Sequence, residues 1–154
     1  MLSLPMQQFL SYIDSKGDIN KAIVDENILL THLLPSEAVD TMNQDALERY
    51  IGPFHNSNKR QPLLQYIKDY PNGSGPSDVV QLISNYSAWL LESNHPKLMY
   101  YAVPGFMTPI ETVSWVKDNF KNCSLVELPN ALHLAQETMP ELFSKNLSDW
   151  YKAI

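Results

Sequence analysis

One short segment limits the fold more than any other part of the sequence. Residues 97–103 are apolar at nearly every position and are followed by Pro104. Strands buried on both faces of a parallel sheet have this pattern, because helices cover both sides of the sheet. A second short strand is predicted at residues 124–128, with a helical segment between the two. The order strand, helix, strand implies parallel strands with covering helices, so the sequence predicts an α/β fold.

The segments around these strands have helical patterns. Residues 77–92 place apolar side chains on one face, and Ser77 or Asp78 can cap that helix. A Thr-x-x-Glu box with proline at the first helical position predicts a helix start at residues 108–111 and again at 138–141. Residues 129–137 between the second strand and the last helix are predicted to form a loop.

The first half of the chain, residues 1 to about 76, is predicted to be helical and irregular. Residues 19–34 have helical spacing that is broken near residues 25–27 and stopped by Pro35. A short helix is predicted at residues 44–51, capped by Asn43, and another begins near Gln61-Pro62. The Pro- and Gly-rich residues 70–76 give the clearest loop signal in the chain.

Composition excludes several classes of protein. The 154 residues suit a single domain, and with 44% hydrophobic and 18% charged residues the chain is not disordered. A net charge of -6 argues against a nucleic-acid binder. The longest apolar stretch, residues 98–103, is too short to cross a membrane, which takes about 20 residues. With the single Cys123 and no signal-peptide pattern, we expect a cytoplasmic protein.

Five short motifs occur in the same order and at matching spacing as in a known family. They are Pro53-Phe54, Arg60-Gln61-Pro62-Leu63, Asp78-Val79-Val80, Pro96-Lys97-Leu98 with Val103-Pro104-Gly105-Phe106, and the loop Asn130 to Glu137. Together they resemble the C-terminal half of haloalkane dehalogenases and the related coelenterazine luciferases, over residues 9–150. The resemblance implies a partial α/β-hydrolase fold, with a helical cap at residues 1–76 and the C-terminal part of the main domain at residues 77–154.

The resemblance puts the family's catalytic histidine at His133. In the family, an aspartate attacks the halogen-bearing carbon and forms an ester, which a water activated by the histidine then hydrolyses. An imidazole on a loop beyond the end of a parallel strand suits a general base, because its pKa is near neutral and ligand sites lie at that edge of the sheet. The alternative interpretation of His133 is an ordinary surface histidine.

The resemblance also implies substrate-binding residues. By position they are Leu29 and Leu33 on the cap side, Tyr66 and Ile67 near the halide, and Phe106, Met107 and Leu134 on the main-domain side. Leu29 and Ile67 depart from the aromatic and proline residues that are commoner in the family. The alternative interpretation of all seven is core packing, because apolar residues at helical spacing usually pack. An apolar pocket of this kind suits a small or linear apolar substrate.

The nucleophile of this fold has no counterpart in the sequence. A nucleophile elbow needs a glycine two residues after Ser, Asp or Cys, between a strand and a helix, and none of the five glycines meets that description. In the family the elbow, the halide-holding pair and the orienting carboxylate lie upstream of the matched region, so we expect them to precede Met1. No cofactor is implied, and no metal site is expected, because His32, His55, His95 and Cys123 lack metal-ligand spacing.

Three hypotheses follow from the sequence. The first is a truncated dehalogenase-like hydrolase half that retains the histidine base and is inactive without an N-terminal half. The second is a non-catalytic remnant or binding module of α/β-hydrolase descent. The third is assembly with another subunit, such as a second copy of the chain, through the open edge of the strand at residues 97–103. Two strands are too few for an independent sheet, and an unpaired edge tends to pair.

Overall fold

The computed structural model describes residues 4–36, 42–70 and 77–154. A helical region, residues 4–70, precedes an α/β region, residues 77–154. The loop predicted at residues 70–76 lies outside the described residues except for Tyr70. None of the helices in the described part of the chain is both long and apolar enough to cross a membrane.

The helical region is built from short elements. It comprises α1 (Leu4–Ser15), two π-helical segments (Lys21–Asp25 and Leu29–Leu33), α2 (Leu34–Ser36), α3 (Gln44–Ile51), two 3-10 turns (Gly52–Phe54 and Ser57–Arg60) and α4 (Gln61–Asp69). The predicted Asn43 cap of α3 is confirmed, since its Oδ1 accepts a hydrogen bond from the Ala46 N–H at 2.8 Å. The predicted start of α4 at Gln61-Pro62 is also confirmed.

The segment predicted as one interrupted helix forms two π-helical pieces. The break falls at Glu26-Asn27, where Asn27 adopts a left-handed φ of 57°. The prediction that Pro35 stops the run is wrong, because α2 continues to Ser36. The second π-helical piece closes with the Leu34 N–H bonded to the Leu29 carbonyl. Pro35 then lies in the first turn of α2, where a missing N–H is tolerated.

The α/β region holds a two-stranded parallel sheet between helices. Its elements are α5 (Ser77–Glu92), β1 (Lys97–Tyr101), α6 (Ile110–Asn119), β2 (Cys123–Glu127), α7 (Ala135–Thr138) and α8 (Pro140–Ala153). The strands pair in register from Lys97 opposite Cys123 to Tyr101 opposite Glu127, so the parallel prediction is confirmed. The expected burial of β1 on both faces is wrong, because each of its residues is only half-buried.

Both predicted capping boxes of this region are absent. α6 begins after Pro109 and α8 after Met139, and in neither case does a side chain cap the helix. Thr138 is unavailable as a cap because it ends α7, a helix that the loop prediction missed. Its hydroxyl instead donates to the Leu134 carbonyl at 3.2 Å. Proline at the first turn of α8 removes one of the N–H groups that a cap would satisfy.

One cation in each region satisfies backbone carbonyls at element ends. The Arg60 guanidinium donates to the carbonyls of Val24, Asp25, Phe54 and His55 at 2.6–3.1 Å. The Lys97 ammonium donates to the carbonyls of Ser93, His95 and Lys121 at 2.6–3.0 Å. Such contacts replace the partners that helix ends lack.

Candidate functional site

The loop after β2 leaves the sheet in a tightly fixed path. The Leu128 N–H bonds to the Tyr101 carbonyl at 2.8 Å, which extends the strand pairing by one residue, and Leu128 and Ala131 are each 1% exposed. Asn130 and Leu132 have left-handed φ values of 59° and 50°. That conformation costs a leucine about 1–2 kcal/mol, so packing around the loop must hold it.

His133 follows this constrained residue. Its ring centroid lies 6.3 Å from that of Phe106, with 38° between the ring planes. His133 is exposed to solvent, yet the protein on one side of it lowers the pKa of the imidazole through desolvation. A lowered pKa keeps the ring neutral at pH 7, which is the form that accepts a proton.

His133 lies between two cavities. The cavity on the helical side, of about 170 Å³, is lined chiefly by apolar side chains. It brings together six of the eight residues that the resemblance singled out: Leu29, Leu33, Tyr66, Ile67, Met107 and His133. The cavity on the sheet side is lined by the ends of both strands together with Gly105, Phe106, Met107, Leu132 and His133. The imidazole can therefore reach a small molecule in either space.

The other two predicted residues have different positions. Phe106 is 6% exposed, lines the sheet-side cavity and lies beside the His133 ring. Leu134 lines neither cavity and is buried against Leu30 and Leu34 in the helical region. The role of all eight residues in substrate binding or catalysis stays a prediction.

Gly105 sets the course of the segment that carries Phe106 and Met107. A Cβ at Gly105 would collide with the Thr108 carbonyl oxygen, which is backbone and cannot swing aside. The glycine is therefore required by a close backbone approach just after β1. That turn directs Phe106 and Met107 toward the imidazole.

Two features of the site were missed by the sequence analysis. Met6 of α1 lines the helical-side cavity, although α1 was not predicted as an element; the spacing of Met6, Phe9 and Ile13 could have revealed it. The second feature is a hydrogen bond of 2.6 Å from the Tyr50 Oη to the Glu137 Oε1. No local sequence pattern signals it, because the two residues are 87 positions apart.

Acidic groups do not face the imidazole within the described ranges. His133 has no hydrogen bond or ion pair to any residue in 4–36, 42–70 or 77–154, and desolvation is the only cause of its pKa shift. Glu137, the acid nearest to it along the chain, accepts from Tyr50. Within those ranges no group of three His, Cys, Asp or Glu side chains is arranged to hold a metal ion.

Comparisons with known proteins agree with this geometry. A haloalkane dehalogenase of Mesorhizobium japonicum is 25% identical over 144 residues, which is 94% of this chain and 47% of the relative. One of Agrobacterium fabrum is 26% identical over 129 residues, or 84% of this chain and 42% of the relative. No family model matches the chain.

Solved structures give the same result. The haloalkane dehalogenase DbeA from Bradyrhizobium elkani superimposes with a TM-score of 0.81 at 27% identity, covering 87% of this chain and 46% of the other. DatA from Agrobacterium tumefaciens gives a TM-score of 0.79 at 25% identity, with coverage of 87% and 46%.

The parallel strands and the imidazole beyond their carboxyl ends, together with these neighbours, define part of an α/β hydrolase. Within that class, the chain is a C-terminal half of a haloalkane dehalogenase-like α/β hydrolase. The chain spans under half the length of the curated relatives it matches.

Proposed function

We propose that this chain supplies the general base and the apolar half-pocket of a haloalkane dehalogenase-like hydrolase, with residues 4–70 as its cap. The single observation that carries the proposal is the position of His133. A neutral imidazole, on a constrained loop beyond the carboxyl end of β2, borders an apolar cavity that is lined by the helical region and by Met107. In proteins with open α/β sheets, ligands bind beyond the carboxyl ends of the strands.

The chemistry assigns one task to His133. An aspartate carboxylate supplied by an N-terminal half attacks the halogen-bearing carbon; a C–O bond forms and the carbon–halogen bond breaks, releasing halide. His133 then takes a proton from a water whose oxygen attacks the ester carbonyl, which regenerates the carboxylate and releases the alcohol. A positioned base contributes about 10² to 10⁴ in rate, but only after an ester exists.

The chain alone is therefore inactive in this proposal. The sequence contains no nucleophile elbow, and His133 has no carboxylate partner in the described ranges. In this proposal an N-terminal half provides both the nucleophile and the carboxylate partner. More than half the length of the Mesorhizobium japonicum relative lies outside the matched region. The apolar lining of the helical-side cavity favours a small or linear apolar substrate, such as a 1-haloalkane.

Three helices of the α/β region expose apolar side chains that a partner could cover. Leu82, Tyr86 and Trp89 of α5 are 49–64% exposed and lie at helical spacing, and Trp115 of α6 and Tyr151 of α8 are 48% and 72% exposed. The three α5 residues share one face of that helix, and an exposed apolar face is typical of a protein contact. The unpaired edges of the two-stranded sheet add backbone groups that a further strand can bond.

Halide release from 1-bromoalkanes tests the proposal. We expect none from the purified chain and measurable release after addition of a separately expressed N-terminal half of the Mesorhizobium japonicum relative. The His133→Ala variant combined with the same half is the matched control and should show no sustained turnover. Halide release from the chain alone that His133→Ala abolishes would contradict the proposed inactivity. If the two halves bind each other without any release, the chain is instead a non-catalytic assembly module.

A further inference from the structure

The loop that carries His133 is attached to the helical region at two points. Leu134, the next residue, is 8% exposed and packs with Leu30 and Leu34 of the helical region. Three residues further on, Glu137 accepts a hydrogen bond of 2.6 Å from the hydroxyl of Tyr50 in α3. Both attachments join segments that are far apart in sequence and that flank the helical-side cavity.

The Tyr50–Glu137 bond has the features of a strong contact. Both side chains are half-buried, and the bond is short, as expected when a hydroxyl donates to a carboxylate. The hydrogen bond to Glu137 raises the pKa of Tyr50 and burial adds to the shift, while a hydrogen bond with the Gln136 side chain opposes it. Tyr50 itself packs against the Leu30–Leu34–Leu134 cluster, so its ring and its hydroxyl hold the same loop.

The imidazole depends on these attachments because it has few of its own. In the described ranges its side chain makes no hydrogen bond, and its ring contact is with Phe106. On its other side Leu132 occupies the left-handed region, which the chain leaves when packing no longer enforces it. The backbone at His133 is thus held by its neighbours rather than by its side chain.

We infer that Tyr50 and Glu137 form a positioning pair that fixes the His133 loop to the helical region. The inference rests on the proposed function for the role of the imidazole, although its geometry does not require that role. The pair makes the site composite: the helical region determines where the base of the α/β region lies. Tyr50 and Glu137 act through the loop and do not touch the reacting atoms.

Hydrogen exchange and NMR titration of the full chain test the pair. We expect Tyr50→Phe and Glu137→Ala each to speed amide exchange across residues 131–138 by about two- to tenfold, as the loss of one hydrogen bond does. Exchange in the double variant should be little faster than in either single variant. Glu137→Gln, which keeps an acceptor oxygen, should speed exchange less than Glu137→Ala does. In Tyr50→Phe the pKa of His133 should rise toward its ordinary value, because a released loop exposes the ring.

Tyr86→Phe, on the exposed face of α5, is the control and should change neither readout. Assigning the four histidine signals through His133→Gln makes the titration specific. Unchanged exchange and an unchanged His133 pKa in Tyr50→Phe would overturn the inference. Equal acceleration in β1 and α5 would also overturn it, because that pattern reports general destabilisation. None of these readouts needs halide release, so failure of the proposed function and failure of the pair are separable.

Discussion

The helical region and the α/β region of this chain bury their apolar side chains to different extents. The helical region forms most of one buried core, in which Ile13, Ile23 and Ile28 are 0–2% exposed and to which the α/β region adds Phe106. In the α/β region, α5 and α8 contain no buried residue, and Leu82 and Tyr151 remain 64% and 72% exposed. Short helices fold back over one another, whereas two strands offer too little surface to cover helices on both sides. The helical region buries most of its large apolar side chains, whereas α5 and α8 leave theirs exposed.

The largest expected effect comes from the core of the helical region. Ile23→Ala removes three carbons from a side chain that is 0% exposed, and it should lower the free energy of unfolding by about 2–5 kcal/mol. The midpoint of urea unfolding, followed by circular dichroism, measures the change.

Leu82→Ala is the matched variant on α5 and should stay within about 0.5 kcal/mol of the parent chain, because its side chain is exposed. If Leu82→Ala cost as much as Ile23→Ala, the α5 face would be covered in solution, and the two regions would not differ in the way described. Light scattering on the same samples would then identify self-association as the cause.

The next effect concerns the turn that links β1 to the site. Gly105→Ala should destabilise the chain by about 1–3 kcal/mol, since its new methyl group collides with the Thr108 carbonyl. Gly52→Ala is a suitable control, because the methyl group there meets only the flexible end of Glu48. Equal urea midpoints for the two variants would contradict a close backbone approach at Gly105.

Helix caps give a smaller contrast between the regions. Asn43→Ala removes a bonded cap from α3 and should cost about 0.5–2 kcal/mol. Thr108→Ala, at the position that the sequence pattern favoured as a cap of α6, should cost close to nothing in capping, because α6 begins after Pro109 with no side-chain cap. A larger loss of urea stability for Thr108→Ala than for Asn43→Ala would mean that the predicted capping box forms after all.

Asn43 and Thr138 show what local sequence patterns can predict and what they cannot. Asn43 has extended backbone angles and its side chain bonds to the first turn of α3, so the local pattern and the structure agree. Thr138 matches the same kind of pattern, but it ends α7 and its hydroxyl is already bonded to the turn before it. The parallel sheet and the position of His133 beside the cavity follow from patterns and from the family resemblance. Contacts between distant segments, such as Tyr50 with Glu137, have no local signal and needed the structure.

The smallest expected effect is a pH dependence of folding stability that arises at His133, where the two regions meet. Burial lowers the pKa of His133 in the folded chain below its ordinary value of about 6.5, so the unfolded chain binds the proton more readily. This contribution to stability is fully present above pH 6.5 and is lost as the pH falls through the lower folded pKa. The effect is small because His133 is exposed to solvent. The difference between the urea midpoints at pH 8 and pH 5 should therefore be slightly smaller in His133→Gln than in the parent chain.

The sign of this pH dependence of stability depends on whether a charged group faces the His133 imidazole. A carboxylate facing His133 would raise its pKa, and stability would then be lost as the pH rises rather than as it falls. The isolated chain should have the first sign, because desolvation lowers the pKa of this group and no charged residue in the described ranges contributes to the shift. Binding an N-terminal half that brings an orienting carboxylate should reverse it, and a histidine NMR titration of the complex would detect the reversal directly. If the sign were already reversed in the isolated chain, the helical and α/β regions would together hold an acid beside the base, and the need for a partner carboxylate would disappear.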